Sequence, residues 1–293
     1  MKLINYFHIL AIVLVVISCN KSQKSDSKST STASILKSLE SGRNIHLSGV
    51  TIKEKIDFTK LSDQYIESLG IIRCSVNGSL AFRNCVFEEE VIAFTKKGKD
   101  STYICRFTKN LVFLNCTFKK GINLRDAVVD GIANFSICEF NDKANFEGIS
   151  LRHNNNYFTE IVYRKDARFD RMYANGNVLM IRSIFEGRTG FQGARSLGML
   201  NLGGGRFKGE ADFSLAHFES LIITGCEFQK NCSFSNANIE NRNDWIKTYF
   251  KGNLIVNGSI LGRKMKIDGI KSDSIKDIQN WIQNCDHTPM KNK

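Results

Sequence analysis

Large apolar residues recur along the middle of the chain at spacings that alternate between five and six. Phe113, Phe118, Leu124, Val129, Phe135, Phe140, Phe146 and Leu151 form one run. Phe158, Tyr163, Phe169, Ala174, Met180, Phe185, Phe191, Ser196, Leu202, Phe207, Phe213 and Phe218 form the next, and only the step from Leu151 to Phe158 is one residue too long. Further rungs are Leu47, Ile52 and Phe58, then Ile71, Val76, Phe82 and Phe87. Ile223, Phe228, Phe234 and Ile239 follow, and finally Val256, Leu261 and Ile267. Two residues before many rungs stands an alanine, as at Ala127, Ala133, Ala144, Ala167, Ala194, Ala211, Ala216 and Ala237. Residues two apart on an extended strand face the same way, so each short strand buries one small and one large side chain. A helix would need apolar spacings of three and four, which disfavours a helical solenoid. Polar corners such as Asn141-Asp142-Lys143 follow the strands. Repetition at this scale marks a stacked, quasi-one-dimensional architecture.

Three stretches fit no rung and are expected to be loops: 63–69, 94–104 and 241–253. The most polar, Lys96-Lys97-Gly98-Lys99-Asp100, is expected to project. A short helix is expected from near Ser34 to Gly42. Ser274 and Asp277 have the spacing of a capping box, and Ile275, Ile278, Trp281 and Ile282 give the next segment an apolar stripe. A C-terminal helix is therefore expected to cover the last coil, whose edge would otherwise be open.

The segments Lys208 to Phe213 and Lys143 to Phe146, with the spacing as a whole, resemble the pentapeptide-repeat family in its alternating five- and six-residue subtype. The resemblance runs from about Leu47 to Ile267. It implies an all-β fold: a right-handed, four-sided parallel β-solenoid with about 22 residues and four rungs per coil. The six-residue steps depart from a strict five-residue repeat and imply looser corners. The expected organisation is a signal peptide over 1–18, a flexible tether over 19–33, the solenoid over 34–270, and a capping helix and tail over 271–293.

The N-terminus carries its own signal. Lys2 precedes a short apolar core from Ile9 to Ile17, too short to cross a bilayer of about 30 Å hydrocarbon thickness comfortably. Val16-Ile17-Ser18-Cys19 then resembles the lipobox of bacterial lipoproteins, which implies diacylglycerol on the Cys19 thiol, cleavage before it and acylation of the new amino group. Several acyl chains, at about 0.8 kcal/mol per buried CH₂, would hold the chain on a membrane almost permanently. Asn20 to Thr32 lacks any apolar residue and cannot offset its ordering entropy, hence a tether. Asn20 is not the Asp that disfavours outer-membrane sorting in enterobacterial lipoproteins, which points to the outer membrane.

Composition narrows the function classes. The 293 residues carry a net charge of +12 and a single proline, Pro289. Collagen-like and proline-rich chains are excluded, and so is a multispanning membrane protein. Cys74, Cys85, Cys105, Cys116, Cys138, Cys226 and Cys232 occupy the small-residue register, so they are expected to be free buried thiols, with Cys116 stacked on Cys138 one coil away. Cys285 lies outside the ladder. No Cys-x-x-Cys pair exists and the histidines lack ligand spacing, so no zinc site and no cofactor is expected. His46 and His217, each next to a rung, should face outward, and Glu88, Glu89 and Glu90 should be solvated at a corner. Leu202-Gly203-Gly204-Gly205-Arg206 lacks the Lys-Ser/Thr of a phosphate loop and reads as a tight corner. No acid–base pair emerges, so no catalytic residue is assigned and the chain is expected not to be an enzyme.

Three functional readings remain. The first is a lipid-anchored scaffold for an unknown protein partner. The second is DNA mimicry, known among pentapeptide-repeat proteins, which needs an acidic cytoplasmic surface and so conflicts with a basic exported chain. The third is a carbohydrate-binding or carbohydrate-active solenoid, for which the positive charge suggests an anionic glycan. Export argues against a nucleic-acid partner.

Overall fold

The computed structural model describes residues 30–275, Arg263 aside. Short parallel strands stack into a β-solenoid, and hydrogen bonding resolves three sheets of eighteen, ten and nine strands, here sheets I, II and III. Sheet II runs through Thr117–Phe118, Glu139–Phe140, Val162–Tyr163, Ile184–Phe185 and Arg206–Phe207. Sheet III runs through Ile122–Asn123, Ala144–Asn145, Ala167–Arg168, Thr189–Gly190 and Ala211–Asp212. Sheet I carries two strand series in each coil, and they fuse where one long strand, Arg195–Asn201, pairs with both Tyr173–Ala174 and Asn177–Leu179. Phe118 lies opposite Phe140, which confirms the 22-residue coil.

The interior is filled by rings in columns. Phe87, Phe118, Phe140, Tyr163, Phe185, Phe207, Phe228 and Phe250 stack with centroids 4.6–5.3 Å apart, close to the strand spacing. Phe146, Phe169, Phe191, Phe213 and Phe234 form a second column, and neighbouring columns meet edge to face. Stacking within columns and edge contacts between them are the geometries that ring quadrupoles favour. The alanines two residues before the rungs are all buried, as the register requires.

The alternation of five and six is an alternation of corners. In the five-residue steps, that from Phe218 to Ile223 aside, the second residue after the rung has φ between 51° and 71°. One series is Asn84, Asn115, Ile137, Glu160, Arg182, Gly204, Gly225, Lys247 and Gly269; the other is Asp126, Gly148, Arg171, Gly193, Leu215, Asn236 and Gly258. The following residue often donates its N–H to the rung carbonyl, as Ala127 does to Leu124 at 3.1 Å. That is a β-turn whose third residue is left-handed. Among the described residues, the six-residue steps turn without a left-handed residue except at Gly121 and Gly262.

Two of the expected loops are strands. Leu47 lies opposite Phe82, 35 residues on, and Phe82 opposite Phe113, 31 on. The excess over 22 goes into two antiparallel hairpins, Gln64–Ser68 with Ile71–Val76, and Phe94–Lys97 with Ser101–Phe107. The inner arms of the two hairpins pair in parallel, Cys74 opposite Cys105, giving a four-stranded wing. Ile71 lies on this wing and is not a rung. Polar residues dominate both outer arms, and this removed the apolar alternation by which strands are recognised. Gly98 to Asp100 form the turn of the second hairpin, within the Lys96–Asp100 stretch expected to project.

The third expected loop, 241–253, is an ordinary coil. Trp245 and Phe250 are its rungs, fully buried and continuing the alternation from Ile239 to Val256. Asn243 hid the coil: it fills the small-residue register, and its Nδ2 donates to the Leu261 carbonyl at 2.9 Å. Asn156 does the same before Phe158, accepting from the Ala133 N–H at 3.2 Å and donating to the His153 carbonyl at 3.0 Å. Its amide ties down the corner that absorbs the extra residue between Leu151 and Phe158.

One α-helix is described, α1, Thr32–Glu40. It starts two residues before Ser34, because Ser31 is its N-cap and accepts from the Ser34 N–H at 3.3 Å. Gly42 follows it with φ 68°. Ile35 and Leu39 enter the core, so α1 covers the first coil and protects that edge. Gly78 lies under the chain leaving α1: a Cβ there would sit 2.2 Å from the Arg43 carbonyl oxygen. The expected C-terminal helix lies outside the described residues beyond Ile275, as do the signal peptide and most of the tether.

Candidate functional site

On sheet III the second residue of each strand faces out: Asn123, Asn145, Arg168, Gly190 and Asp212 in coil order. Gly190 interrupts this row. Beside it an open hollow of about 480 Å³ lies between Arg168 and Arg188, with Lys143, Asn145 and Gln192 on its walls. A Cβ on Gly190 would lie 2.3 Å from Asp170 Oδ1, so only glycine lets that carboxylate sit where it does.

Asp170 is held on two sides. Its Oδ1 accepts from the Gln192 N–H at 3.0 Å, and its Oδ2 lies 3.0 Å from Arg168 Nε. Arg168 Nη2 also reaches Glu147 Oε2 at 3.0 Å. Glu147, with its side chain only 9% exposed, takes Arg171 Nη2 at 2.7 Å and Arg125 Nη2 at 3.4 Å. Burial alone would push the Glu147 carboxyl up, but the Arg171 hydrogen bond and the charges of Arg168 and Arg125 outweigh it and hold the carboxyl below its ordinary value. Across the hollow, Arg188 Nη2 lies 3.4 Å from Asp212 Oδ2, and the Arg188 N–H donates to Asp166 Oδ1 at 3.1 Å.

This arrangement offers fixed donors and acceptors. Glu147 stays ionised, whereas a general acid needs a raised carboxyl. Lys143, Arg168 and Arg188 balance Asp166, Asp170 and Asp212 in charge. The hollow therefore suits a polyhydroxylated or zwitterionic ligand better than a simple anion.

The residues singled out from the sequence do not meet at this hollow. Cys19 and Cys285 lie outside the described residues, as does His287. His46 is exposed, and His217 Nε2 lies 2.5 Å from Glu240 Oε1 on the outer surface. His153 is tied to its own corner through Asn155. Glu88 pairs with Lys119 at 3.0 Å and Glu90 with Lys55 at 2.8 Å, both half-exposed. Gly204 and Gly205 form a tight corner under Phe207, as expected. No group of metal-ligating side chains occurs among the described residues.

The seven repeat cysteines are free and buried. Cys116 sits between Cys85 and Cys138 and is pushed up to about 12, chiefly by its hydrogen bond to Cys138. Cys226 is pushed up to about 12 by burial. Such thiols stay protonated and are poor nucleophiles, which fits packing. The hollow was readable only once the outward register was known, because a lone glycine in that row is then a missing side chain.

No protein-family model, no curated protein and no solved structure matches the chain.

Proposed function

We propose that the chain is a non-enzymatic lipoprotein, anchored through acylated Cys19, that presents a four-sided, pentapeptide-repeat-like β-solenoid as a binding or structural scaffold at the cell envelope, on the outer membrane. The observation that carries this reading is a rod filled to its axis by stacked rings, with its polar chemistry on the outer faces, behind a lipobox and an apolar-free tether. A filled interior offers a ligand no cavity, so recognition belongs to the surface. Labelled palmitate fed to the native bacterium should enter the protein and be lost in Cys19→Ala. Label surviving that substitution, or protein recovered wholly in the soluble fraction, would refute the anchor.

The sheet III hollow favours a second reading, binding of envelope or extracellular glycans. Arginine and amide donors alternate there with carboxylate acceptors, as polyhydroxylated ligands require. A glycan array that includes acidic and neutral chains tests it, with Arg168→Ala and Arg188→Ala as controls. Binding that both variants retain would remove the hollow from consideration.

A further inference from the structure

The wing projects from the first two coils, at the end of the rod that α1 covers. Its register places Ile66, Ile72, Tyr103 and Thr95 in one row across four strands. Ile66 is 80% exposed, and Leu69, in the turn between the first two strands, is fully exposed. Tyr103 is half-buried and lies under Lys97, whose Nζ is 4.2 Å from the ring centroid. The two turns lie side by side: the Thr102 N–H donates to the Gly70 carbonyl at 2.7 Å, and a Cβ on Gly70 would be 2.7 Å from the Asp100 carbonyl oxygen. One tip therefore combines exposed Ile66 and Leu69 with Lys96, Lys97 and Lys99. The acids there are Asp100 and Glu67, and Glu67 is neutralised by Arg73.

We infer that this tip is a bilayer-seating surface, its apolar side chains entering the headgroup boundary of an anionic membrane and its lysines meeting the lipid phosphates. Exposed apolar side chains with lysines beside them on one projecting tip are the chemistry of interfacial membrane contact. The position in the chain favours the same occupant. The wing rises from the coils nearest the N-terminus, and the eleven residues from Asn20 to Thr30 can span at most about 40 Å. This proximity rests on the lipoprotein reading; the chemistry of the tip does not. A lipid anchor with a second, weaker contact would fix the orientation of the rod on the surface, which an anchor on a tether cannot do.

The test uses the mature-length chain from Asn20 to Lys293 without an acyl group, so its result does not depend on Cys19 modification. Vesicles of phosphatidylcholine, with or without phosphatidylglycerol, are floated with the protein. Flotation with the anionic vesicles, weakened by salt, is expected. Ile66→Ser with Leu69→Ser should reduce partitioning by about tenfold or more, and Lys96→Glu with Lys97→Glu and Lys99→Glu by at least as much. All five side chains lie on the wing outside the core, and unchanged thermal melts would verify folding. A tryptophan at Leu69 (Leu69→Trp) should shift its emission to the blue with anionic vesicles. Absence of flotation overturns the proposal. So does flotation that the serine variant retains, or an unmoved Leu69→Trp emission, since the contact then lies elsewhere. Self-association that the serine variant abolishes, without vesicle binding, would give the surface to a second copy and equally overturn it.

Discussion

Replacing buried cysteines by serine distinguishes two sites that share one pattern in the sequence. Cys138 and Cys232 both precede a phenylalanine rung by two residues, and both are buried. Their surroundings differ. Cys138 Sγ lies 3.3 Å from the Phe113 carbonyl oxygen. Hydroxyls farther along the same column use the same kind of acceptor: Ser183 Oγ donates to the Phe158 carbonyl at 2.9 Å and Thr248 Oγ1 to the Ile223 carbonyl at 2.6 Å. Cys232 belongs to the column of Thr189 and Ala211, where the buried Thr189 hydroxyl has no partner. A buried hydroxyl without a partner costs about 1–3 kcal/mol, whereas a hydrogen-bonded one contributes about 0.5–1.5 kcal/mol net. Cys138→Ser should therefore be nearly neutral, and Cys232→Ser should be worse by about 1–3 kcal/mol. At roughly 2–4 °C per kcal/mol for a domain of this size, the gap in Tm is about 2–12 °C. Circular dichroism melts and urea midpoints, with alanine variants as packing controls, measure it. Equal losses at the two sites would refute the assignment of partners, and a parent Tm lowered by reductant would refute free thiols altogether.

Thr189→Val should stabilise the protein by about 1 kcal/mol, because it removes the orphaned hydroxyl and keeps the shape; urea midpoints would show it. Ile137 holds φ 60° at a corner where a β-branched residue is strained, while Asn115 stands at the equivalent corner one coil before. Ile137→Asn should therefore raise the melting temperature by relieving about 1 kcal/mol of strain; a lowered melt would contradict it. Glu147 has its carboxyl lowered in the folded chain, so its contribution is complete above the ordinary value near pH 4.3 and is lost as pH falls through the lower folded value. Glu147→Gln should flatten the stability profile of the protein in that acidic window, measured by urea unfolding across pH.

The aromatic ladder, the 22-residue coil and the buried fate of the repeat cysteines were legible in the residues, because a stacked fold repeats its environment and so repeats its side chains. Strand, small inward residue and large inward residue each leave a mark at a constant spacing. Other features left no such mark. Asn243 and Asn156 occupy an inward position with polar side chains that bond to backbone groups, the Leu261 carbonyl for Asn243 and the Ala133 N–H and His153 carbonyl for Asn156, so the coil at 241–253 read as a gap. The wing pairs Gln64–Ser68 and Phe94–Lys97 as outer strands with polar faces, and only the parallel match of Cys74 with Cys105 brings its two tips together. The sheet III hollow joins Lys143, Arg168 and Arg188, which lie on separate coils and share a face only through register. Local periodicity is written in one strand at a time. Which outward side chains become neighbours depends on corner geometry and on the length of each insertion, and these are settled when the coils stack.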